Sequence, residues 1–206
     1  MNLVFDFGGV LFAWKPADML ARHFPQEAGD PVRAAALAHA VFGDADWHAF
    51  DRGTLEMDTV VQRTCLRLQL DGGQLHALVR NIGELLTPMA DTVVVLQKLH
   101  RQRAQQPDLR LYYLSNMPQS YARTLQQRHA FLNCFDGGVF SGDVQYIKPE
   151  PEIYHLLQSR YALNPAQTVF IDDMAGNVHA AQRLGWQGIH FRSAQQLQEA
   201  LAALDL

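Results

Sequence analysis

Short apolar segments that end beside polar residues place the strongest constraint on the fold of this chain. Residues 2–6, NLVFD, are too short and too apolar for an amphipathic helix, so they predict a buried parallel strand. Residues 109–114 and 168–172 have the same character, and shorter strands are predicted at 138–140 and 188–192. Such segments favour a sheet that is covered on both faces.

Helical patterns occupy the intervals between these strands from residue 88 onward. Apolar residues recur at helical spacing in four segments and in the C-terminal tail, namely 91–103, 119–130, 150–160, 176–184 and 193–206. Strands that alternate with helices predict an α/β fold built on a parallel sheet. We therefore expect a Rossmann-like core.

The segment between the first two long strands has a different pattern. It shows helical spacing without a strand signal, over residues 17–24, 31–42, 57–70 and 74–86. Turn signals such as Pro25 and Gly53 separate these stretches. The expected organisation is an α/β core at 1–14 and 87–206, with a helical cap at 15–86 inserted after the first strand.

Composition and charge exclude several classes of protein. Of the 206 residues, 48% are hydrophobic and 18% are charged, so the chain can bury a sizeable core. A net charge of −4 and scattered arginines do not provide the basic surface of a nucleic-acid binder. No apolar stretch is long enough for a membrane span, and the N-terminus lacks the basic region of a signal peptide. We therefore expect a cytoplasmic protein.

The two cysteines point to no special chemistry. Cys65 and Cys134 form neither a CxxC pair nor a zinc spacing, and we expect both thiols to be reduced. No exposed apolar stripe argues for a dimer, so the oligomeric state stays open.

Polar residues cluster at the predicted strand ends and in the loops just beyond them. They are Asp6, Ser115, Asn116, Lys148, Asp172 and Asp173. Because parallel strands end at one edge of a sheet, and ligands bind at that edge, we expect these side chains to meet. Taken singly, an Asp at a strand end is as often a turn or capping residue, so the joint pattern is what matters.

Three carboxylates and one lysine at close range favour a particular chemistry. The carboxylates repel one another, and a divalent cation would relieve that repulsion. Oxygen ligands with no nearby His or Cys favour Mg²⁺ over zinc. A phosphoryl group could then be bound by Mg²⁺ and Lys148, with Ser115 and Asn116 as hydrogen-bond donors, while a carboxylate beside the phosphorus acts as a nucleophile.

The same residues resemble a known family. The segments FDFGGVL at 5–11, LSN at 114–116, KP at 148–149 and FIDD at 170–173, with Asn177, resemble the four ordered motifs of the haloacid dehalogenase (HAD) superfamily. The helical insertion resembles the C1 cap of its subfamily I. The nearest resemblance is to sugar-phosphate phosphatases and to epoxide-hydrolase-like phosphatase domains.

This resemblance implies a role for each position. Asp6 would be the nucleophile and a metal ligand, together with the Gly8 carbonyl, Asp173, and Asp172 directly or through water. Ser115, Asn116 and Lys148 would bind the phosphoryl group, with Lys148 also pairing with Asp6, and Asn177 would orient the acidic loop. The expected activity is Mg²⁺-dependent hydrolysis of a small phosphorylated metabolite, such as a sugar phosphate, through an aspartyl-phosphate.

One position departs from the family pattern. Phosphatases of this family usually have a second Asp two residues after the nucleophile, which protonates the leaving oxygen, whereas this chain has Gly8. General acid catalysis accelerates a reaction about 10²–10⁴-fold. A good leaving group, another residue or water would have to compensate for the loss of this acceleration.

The missing acid keeps two alternatives open. A 2-haloacid dehalogenase needs no second acid, but the charge of Asp172 and Asp173 would repel a carboxylate substrate. A catalytically weak protein that binds a phosphometabolite is the other alternative, although such a protein gains nothing from clustering Asp6 with Lys148.

The cap offers further candidates between residues 44 and 52. Trp47 could stack on a sugar face, and His48 or Arg52 could bond hydroxyl groups. A Trp at the start of a helix is more often a packing anchor, however, and Asp46 is a candidate helix N-cap. A histidine is also a candidate for the missing acid, but nothing in the sequence places His48 near Asp6.

Overall fold

A five-stranded parallel sheet forms the centre of the computed structural model, which describes residues 1–206. The strand order is β5-β4-β1-β6-β7. These strands are β1 (Asn2–Phe5), β4 (Arg110–Ser115), β5 (Gly137–Phe140), β6 (Thr168–Asp172) and β7 (Gln187–His190). Phe5 lies opposite Tyr113 on β4 and Ile171 on β6, so Asp6 leaves the sheet beside the residues that follow them. The predicted α/β, Rossmann-like fold is confirmed.

Helices cover both faces of this sheet. They are α6 (Ala90–Gln102), α7 (Gln119–Arg128), α8 (Ser141–Val144), α9 (Pro151–Arg160), α10 (Ala175–Arg183) and α11 (Ala194–Ala202), with 3-10 turns at Ala130–Cys134 and Pro165–Gln167. Alternate residues of β1 enter different apolar clusters, Leu3 and Phe5 on one face and Val4 on the other. The uninterrupted apolar character of these strands follows from this two-sided burial.

Five helices occupy the segment that the sequence predicts as the cap. They are α1 (Pro16–His23), α2 (Pro31–Phe42), α3 (Ala45–Arg52), α4 (Met57–Leu68) and α5 (Gly72–Leu85). A short antiparallel ribbon of β2 (Phe12–Ala13) and β3 (Thr87–Pro88), which the sequence did not predict, closes the base of this insertion. The Tyr121 hydroxyl on α7 donates a hydrogen bond to the Val79 carbonyl on α5 at 2.6 Å, which joins the core to the cap.

Helix α3 was not among the predicted helices. It has only eight residues, and Asp44 caps it by accepting a hydrogen bond from the Asp46 backbone N–H at 2.9 Å. The prediction that Asp46 is the N-cap is therefore wrong. Asp46 lies in the first turn, and its carboxylate instead pairs with Arg63 at 2.8 Å.

The C-terminal end of α3 is fixed to the core by what we call the α3 latch, which consists of Asp51, Arg52, Ser141 and Glu150. The Ser141 hydroxyl donates to the Asp51 carbonyl at 2.5 Å, and the Arg52 guanidinium pairs with both carboxylate oxygens of Glu150 at 2.7 and 2.5 Å. Glycine at 53 permits this approach, because a Cβ there would lie 2.6 Å from the Gly142 carbonyl oxygen and its φ is +77°.

Two other predictions concern the chain as a whole. None of the helices combines the length and the apolar character needed to cross a bilayer. Cys65 and Cys134 are not joined by a disulfide in the structure.

A matched pair of leucines on the cap tests the packing. Leu78 on α5 is fully buried and Leu66 on α4 is 76% exposed. Replacing Leu78 by Ala should lower the free energy of unfolding by about 2–5 kcal/mol, because it removes buried methyl groups and leaves a cavity. Leu66→Ala should change it by less than about 0.5 kcal/mol. Urea denaturation measures both, and equal effects would contradict the described burial.

Candidate active site

A cleft of about 220 Å³ opens between the cap and the C-terminal edge of the sheet. Of the residues predicted for the site, Asp172 and Arg52 do not line it, and Asp172 is fully buried against Lys148. The predicted residues that do line it are Asp6, Gly8, Trp47, His48, Ser115, Asn116, Lys148, Asp173 and Asn177. Asp6, Ser115 and Asp173 meet because β1, β4 and β6 are parallel neighbours that end at the same edge.

Lys148 lies at the centre of this arrangement. Its side chain is buried, and Nζ lies 2.9 Å from Asp6 Oδ1 and 2.6 Å from Asp172 Oδ2. Burial by itself lowers the pKa of Lys148, but the charges of Asp172 and Asp6 outweigh burial and raise that pKa above its usual value. The ammonium group therefore stays charged and ties together the ends of β1 and β6.

Asn116, one residue beyond β4, holds the backbone of Lys148. Its side-chain oxygen accepts a hydrogen bond from the Lys148 backbone N–H at 2.7 Å, and its Nδ2 donates to the Lys148 carbonyl at 3.0 Å. Both ends of the amide are thus engaged by one residue of the loop. Asn116 acts first as a positioning residue that aims the lysine, rather than as a free donor toward the cleft.

Asp172 is surrounded by hydrogen-bond donors. Oδ1 accepts from the Met174 backbone N–H at 2.7 Å, Oδ2 accepts from Lys148, and Asn177 Nδ2 lies 3.1 Å from both oxygens. These contacts place Asn177 beside the acidic loop that it is predicted to orient. They also commit the Asp172 oxygens to the protein, which makes this residue a support for the lysine more than an open ligand.

Asp6 follows β1 directly and is only 7% exposed. Its Oδ1 accepts a hydrogen bond from the Phe7 backbone N–H at 2.7 Å. Burial raises the pKa of Asp6 to about 7, and the charge of Asp172 adds to this rise, while the Lys148 charge and a Ser115 hydrogen bond oppose it. A further cation beside Asp6 would favour the ionised form, which is the form that can act as a nucleophile.

Asp173 is the more open of the two neighbouring acids, and a glycine makes room for it. A Cβ on Gly9 would lie 2.3 Å from Asp173 Oδ2, and Gly9 has a φ of +72°. One carboxylate oxygen each from Asp6, Asp172 and Asp173 fall within 4.8 Å of one another. No role for Gly9 was predicted from the sequence. The position of Gly9 in the FDFGG segment was the sequence feature that could have pointed to this residue.

An apolar wall, which the sequence did not reveal, faces these polar residues. Its members come from the cap, from the segment after β1 and from the region around α7, namely Trp14, Phe42, Ile82, Leu86, Met117 and Tyr121. This wall forms only when the cap docks on the core. A local pattern in the sequence therefore cannot predict it. The cleft therefore has a charged floor and an apolar side.

The two predicted cap residues lie at this cleft in different environments. Trp47 is buried, and its ring packs edge-on against Phe42 and Phe50 at centroid distances of 4.6 and 5.4 Å. That packing fits the anchor role, although part of the indole lines the cleft. His48 lies exposed on the lining, and no hydrogen bond fixes its ring.

The residue pair at the end of α3 reverses the sequence-based expectation. Arg52, a predicted partner for substrate hydroxyls, is not among the lining residues and is paired with Glu150 in the α3 latch. Asp51, which received no role, lines the cleft. An i to i+1 step on a helix turns the side chain by about 100°, which separates the two directions.

The arrangement can bind and attack an electrophile that carries negative charge. A buried ammonium group and a serine hydroxyl can contact anionic oxygens, and an aspartate stands beside them as a nucleophile. Asp173 adds a carboxylate suited to a hard cation.

Comparisons with known proteins agree with this geometry. The sesquiterpene phosphatase astK of Aspergillus oryzae is 28% identical over 188 residues, which are 91% of this chain and 87% of that protein. The HAD family enzyme bt-2542 of Bacteroides thetaiotaomicron, solved with magnesium and inorganic phosphate, matches with a TM-score of 0.70 at 19% identity over 93% of each chain. The L-2-haloacid dehalogenase of Xanthobacter autotrophicus matches with a TM-score of 0.66 at 20% identity, over 98% of this chain and 82% of its own.

These matches have different weight. The two solved structures are below 25% identity and establish the fold alone. The model of the family described as haloacid dehalogenase-like hydrolase matches residues 1–185, a span that contains all four motifs. The chain therefore belongs to the haloacid dehalogenase-like hydrolases.

Proposed function

We propose that this protein is a Mg²⁺-dependent phosphatase that hydrolyses a small phosphorylated metabolite through an aspartyl-phosphate on Asp6. The observation that carries this proposal is the buried Lys148 ammonium, held between Asp6 and Asp172 at the floor of an open cleft. A permanently charged group at that place suits an anionic substrate. The similarity to a protein named as a sesquiterpene phosphatase supports the same reaction class.

The donors present fit a magnesium ion. Asp6, Asp173 and the Gly8 carbonyl are all oxygen ligands on the cleft lining, and Asp172 stands behind them as a support. The space that Gly9 leaves for Asp173 would be filled by any other side chain. When bound, Mg²⁺ would neutralise phosphoryl oxygens and stabilise the charge of the transition state.

The side chains of this protein would then act in two displacements at phosphorus. Lys148 Nζ and the Ser115 hydroxyl bind phosphoryl oxygens while an Asp6 oxygen attacks phosphorus and the alcohol leaves. Water then attacks the aspartyl-phosphate, which releases inorganic phosphate and restores the Asp6 carboxylate. The ion pair with Lys148 keeps Asp6 aimed through both steps.

The apolar wall bears on the substrate. A sugar phosphate remains the prediction from the sequence resemblance, but sugar hydroxyls would meet few polar partners along Trp14, Ile82 and Leu86. A phosphate of an alkyl, aryl or isoprenoid alcohol suits this surface better. The name of the Aspergillus relative, a sesquiterpene phosphatase, points the same way.

The dehalogenase alternative has one observation in its favour, the glycine at position 8. Against it stands Asp173, a partly buried acid with no cationic side chain paired to it, which would repel the carboxylate of a 2-haloacid. The third alternative, a phosphometabolite-binding protein with little activity, is distinguished by assay.

Phosphate release is the first test of the proposed reaction. The protein should release phosphate from an aryl phosphate with Mg²⁺ and lose this activity in EDTA. Asp6→Asn should lower the rate at least about 10³-fold, because it removes the nucleophile. Asp18→Asn, on the exposed side of α1, serves as the control and should change nothing. Metal-independent chloride release from 2-chloropropionate would establish a dehalogenase instead. If neither phosphate nor chloride is released, the result would favour the phosphometabolite-binding protein.

Gly9→Ala tests the metal site without touching a ligand. The new Cβ clashes with the Asp173 carboxylate and strains a positive φ, so Mg²⁺ binding measured by titration calorimetry should weaken at least about tenfold. Gly176→Ala is the matched control, since a Cβ there meets nothing within 4 Å. Unchanged Mg²⁺ affinity in Gly9→Ala would exclude Asp173 from the metal site.

A homologous series of n-alkyl phosphates tests the apolar wall. Each added methylene that the wall buries should raise kcat/KM by up to about fourfold, the equivalent of about 0.8 kcal/mol, until the cleft is filled. The ω-hydroxyalkyl phosphates of equal length are the control and should gain less. If kcat/KM does not change with alkyl chain length and glucose phosphates are better substrates, the result would favour the sugar-phosphate prediction.

A further inference from the structure

Position 8 is a glycine and offers no side chain that could serve as the missing acid. A Cβ on Gly8 would stand 3.7 Å from Trp14 Cβ and 4.0 Å from Trp14 Cγ, so the indole lies directly next to this position. An alkoxide leaves phosphorus slowly unless a proton reaches it in the transition state. If the protein hydrolyses alkyl phosphates, the proton must come from another group on the cleft or from water.

Three carboxyl groups line the cleft, and they come from different parts of the chain. Asp6 and Asp173 follow core strands and lie at the floor, whereas Asp51 comes from α3 in the cap. Asp51 is therefore the carboxyl group on the side from which the organic part of the substrate enters. An acid for the leaving oxygen has to approach from that side, because the nucleophile attacks in line from the opposite side.

The α3 latch fixes the position of Asp51 relative to the site. Ser141 accepts a hydrogen bond from the Met117 backbone N–H at 2.8 Å and donates to the Asp51 carbonyl at 2.5 Å. Arg52 pairs with Glu150, two residues after Lys148 in the same loop. The helix end that bears Asp51 is thus held by the loop that delivers the lysine, as a positioned acid requires.

Asp51 differs from the other aspartates of the cap in its electrostatic partners. Among the cap aspartates, Asp51 alone lines the cleft, and it forms no salt bridge, whereas Asp44, Asp46 and Asp58 each pair with an Arg or His side chain. Burial raises the pKa of the Asp51 carboxyl well above its usual range, and a Trp47 hydrogen bond and the charge of Lys148 only partly oppose this rise. The Asp51 carboxyl group can therefore hold a proton.

Several titratable and polar groups face Asp51. Trp47 on α3, Tyr121 on α7 and Lys148 on the floor interact with Asp51, and His48 and Asp6 line the same cleft. Tyr121 directs its hydroxyl hydrogen to the Val79 carbonyl, so it is engaged elsewhere. Among these neighbours, Lys148 supplies the positive charge that would stabilise Asp51 once the proton has left.

We propose that Asp51 is the general acid and base of this active site and replaces the acid that position 8 lacks. This inference rests on the proposed phosphatase function. As Asp6 forms its bond to phosphorus, the bond from phosphorus to the leaving oxygen breaks and the Asp51 proton passes to that oxygen. In the second step the Asp51 carboxylate takes a proton from the water that attacks phosphorus. Phosphate leaves, and Asp6 and protonated Asp51 are both restored.

Leaving groups of different basicity test this assignment. Asp51→Asn should lower kcat/KM for an n-alkyl phosphate about 10²–10⁴-fold, because the alkoxide needs the proton. The same variant should lose less than about tenfold with 2,4-dinitrophenyl phosphate, whose phenolate leaves without one. Asp58→Asn, an exposed aspartate on α4, is the matched control and should retain both activities.

The pH profile gives a second readout that a structural role would not alter. The acid works only when protonated, so wild-type kcat/KM for the alkyl phosphate should fall as pH rises through the pKa of Asp51. Asp51→Asn should lose this alkaline limb, and Asp51→Glu should retain a limb with reduced rate. The dinitrophenyl substrate should show no such limb in any of the three proteins.

The outcomes separate this inference from the function on which it rests. Equal losses with both substrates in Asp51→Asn would overturn the acid role and leave Asp51 as a packing or binding residue. Failure of the wild-type protein to release phosphate from either substrate would overturn the phosphatase itself. If Asp51→Asn does not fold, an Asp51→Glu protein without the alkaline limb would equally overturn the acid role.

Discussion

A buried ammonium group between two carboxylates is the interaction on which the rest of this structure depends. Removing three charges from water costs several kcal/mol for each, and the contacts of 2.9 and 2.6 Å around Lys148 offset that cost only if all three groups stay in place. Asn116 fixes the lysine backbone, and Asn177 and the Met174 N–H fix Asp172. The strand order that places β1 beside β4 and β6 is what brings these groups together.

The parts of the fold that the sequence could predict are those with a local or periodic signal. Residues 168–172 were predicted as a strand with the bounds that the structure shows, because all five are buried and none breaks the pattern. The polar residues at strand ends were placed together correctly, since the parallel topology alone brings them to one edge. Pairing of Phe12 with Pro88 had no such signal, because the partners are distant in sequence and the ribbon is two residues long.

Helix α3 shows why the rest of the site was harder to predict. Its eight residues are too few to be stable alone, and its place is set by bonds to Ser141 and Glu150 that no local pattern contains. Asp51 and Arg52 were therefore indistinguishable as polar neighbours in sequence. In the structure the Arg52 side chain pairs with Glu150, whereas Asp51 lines the cleft. The same holds for Gly9, where the need for glycine comes from Asp173, far along the chain.

The division of labour between core and cap follows from this architecture. The core supplies charges that any phosphate ester would meet, and so it fixes the reaction class. The cap supplies Asp51 and part of the apolar wall, which are groups that would meet the alcohol. With the acid on the cap instead of at position 8, proton delivery would depend on the cap being seated, and the α3 latch is the contact that seats it. A water molecule that reached the aspartyl-phosphate on Asp6 without a docked cap would then lack the base that takes its proton. Hydrolysis would therefore depend on the docked position of the cap.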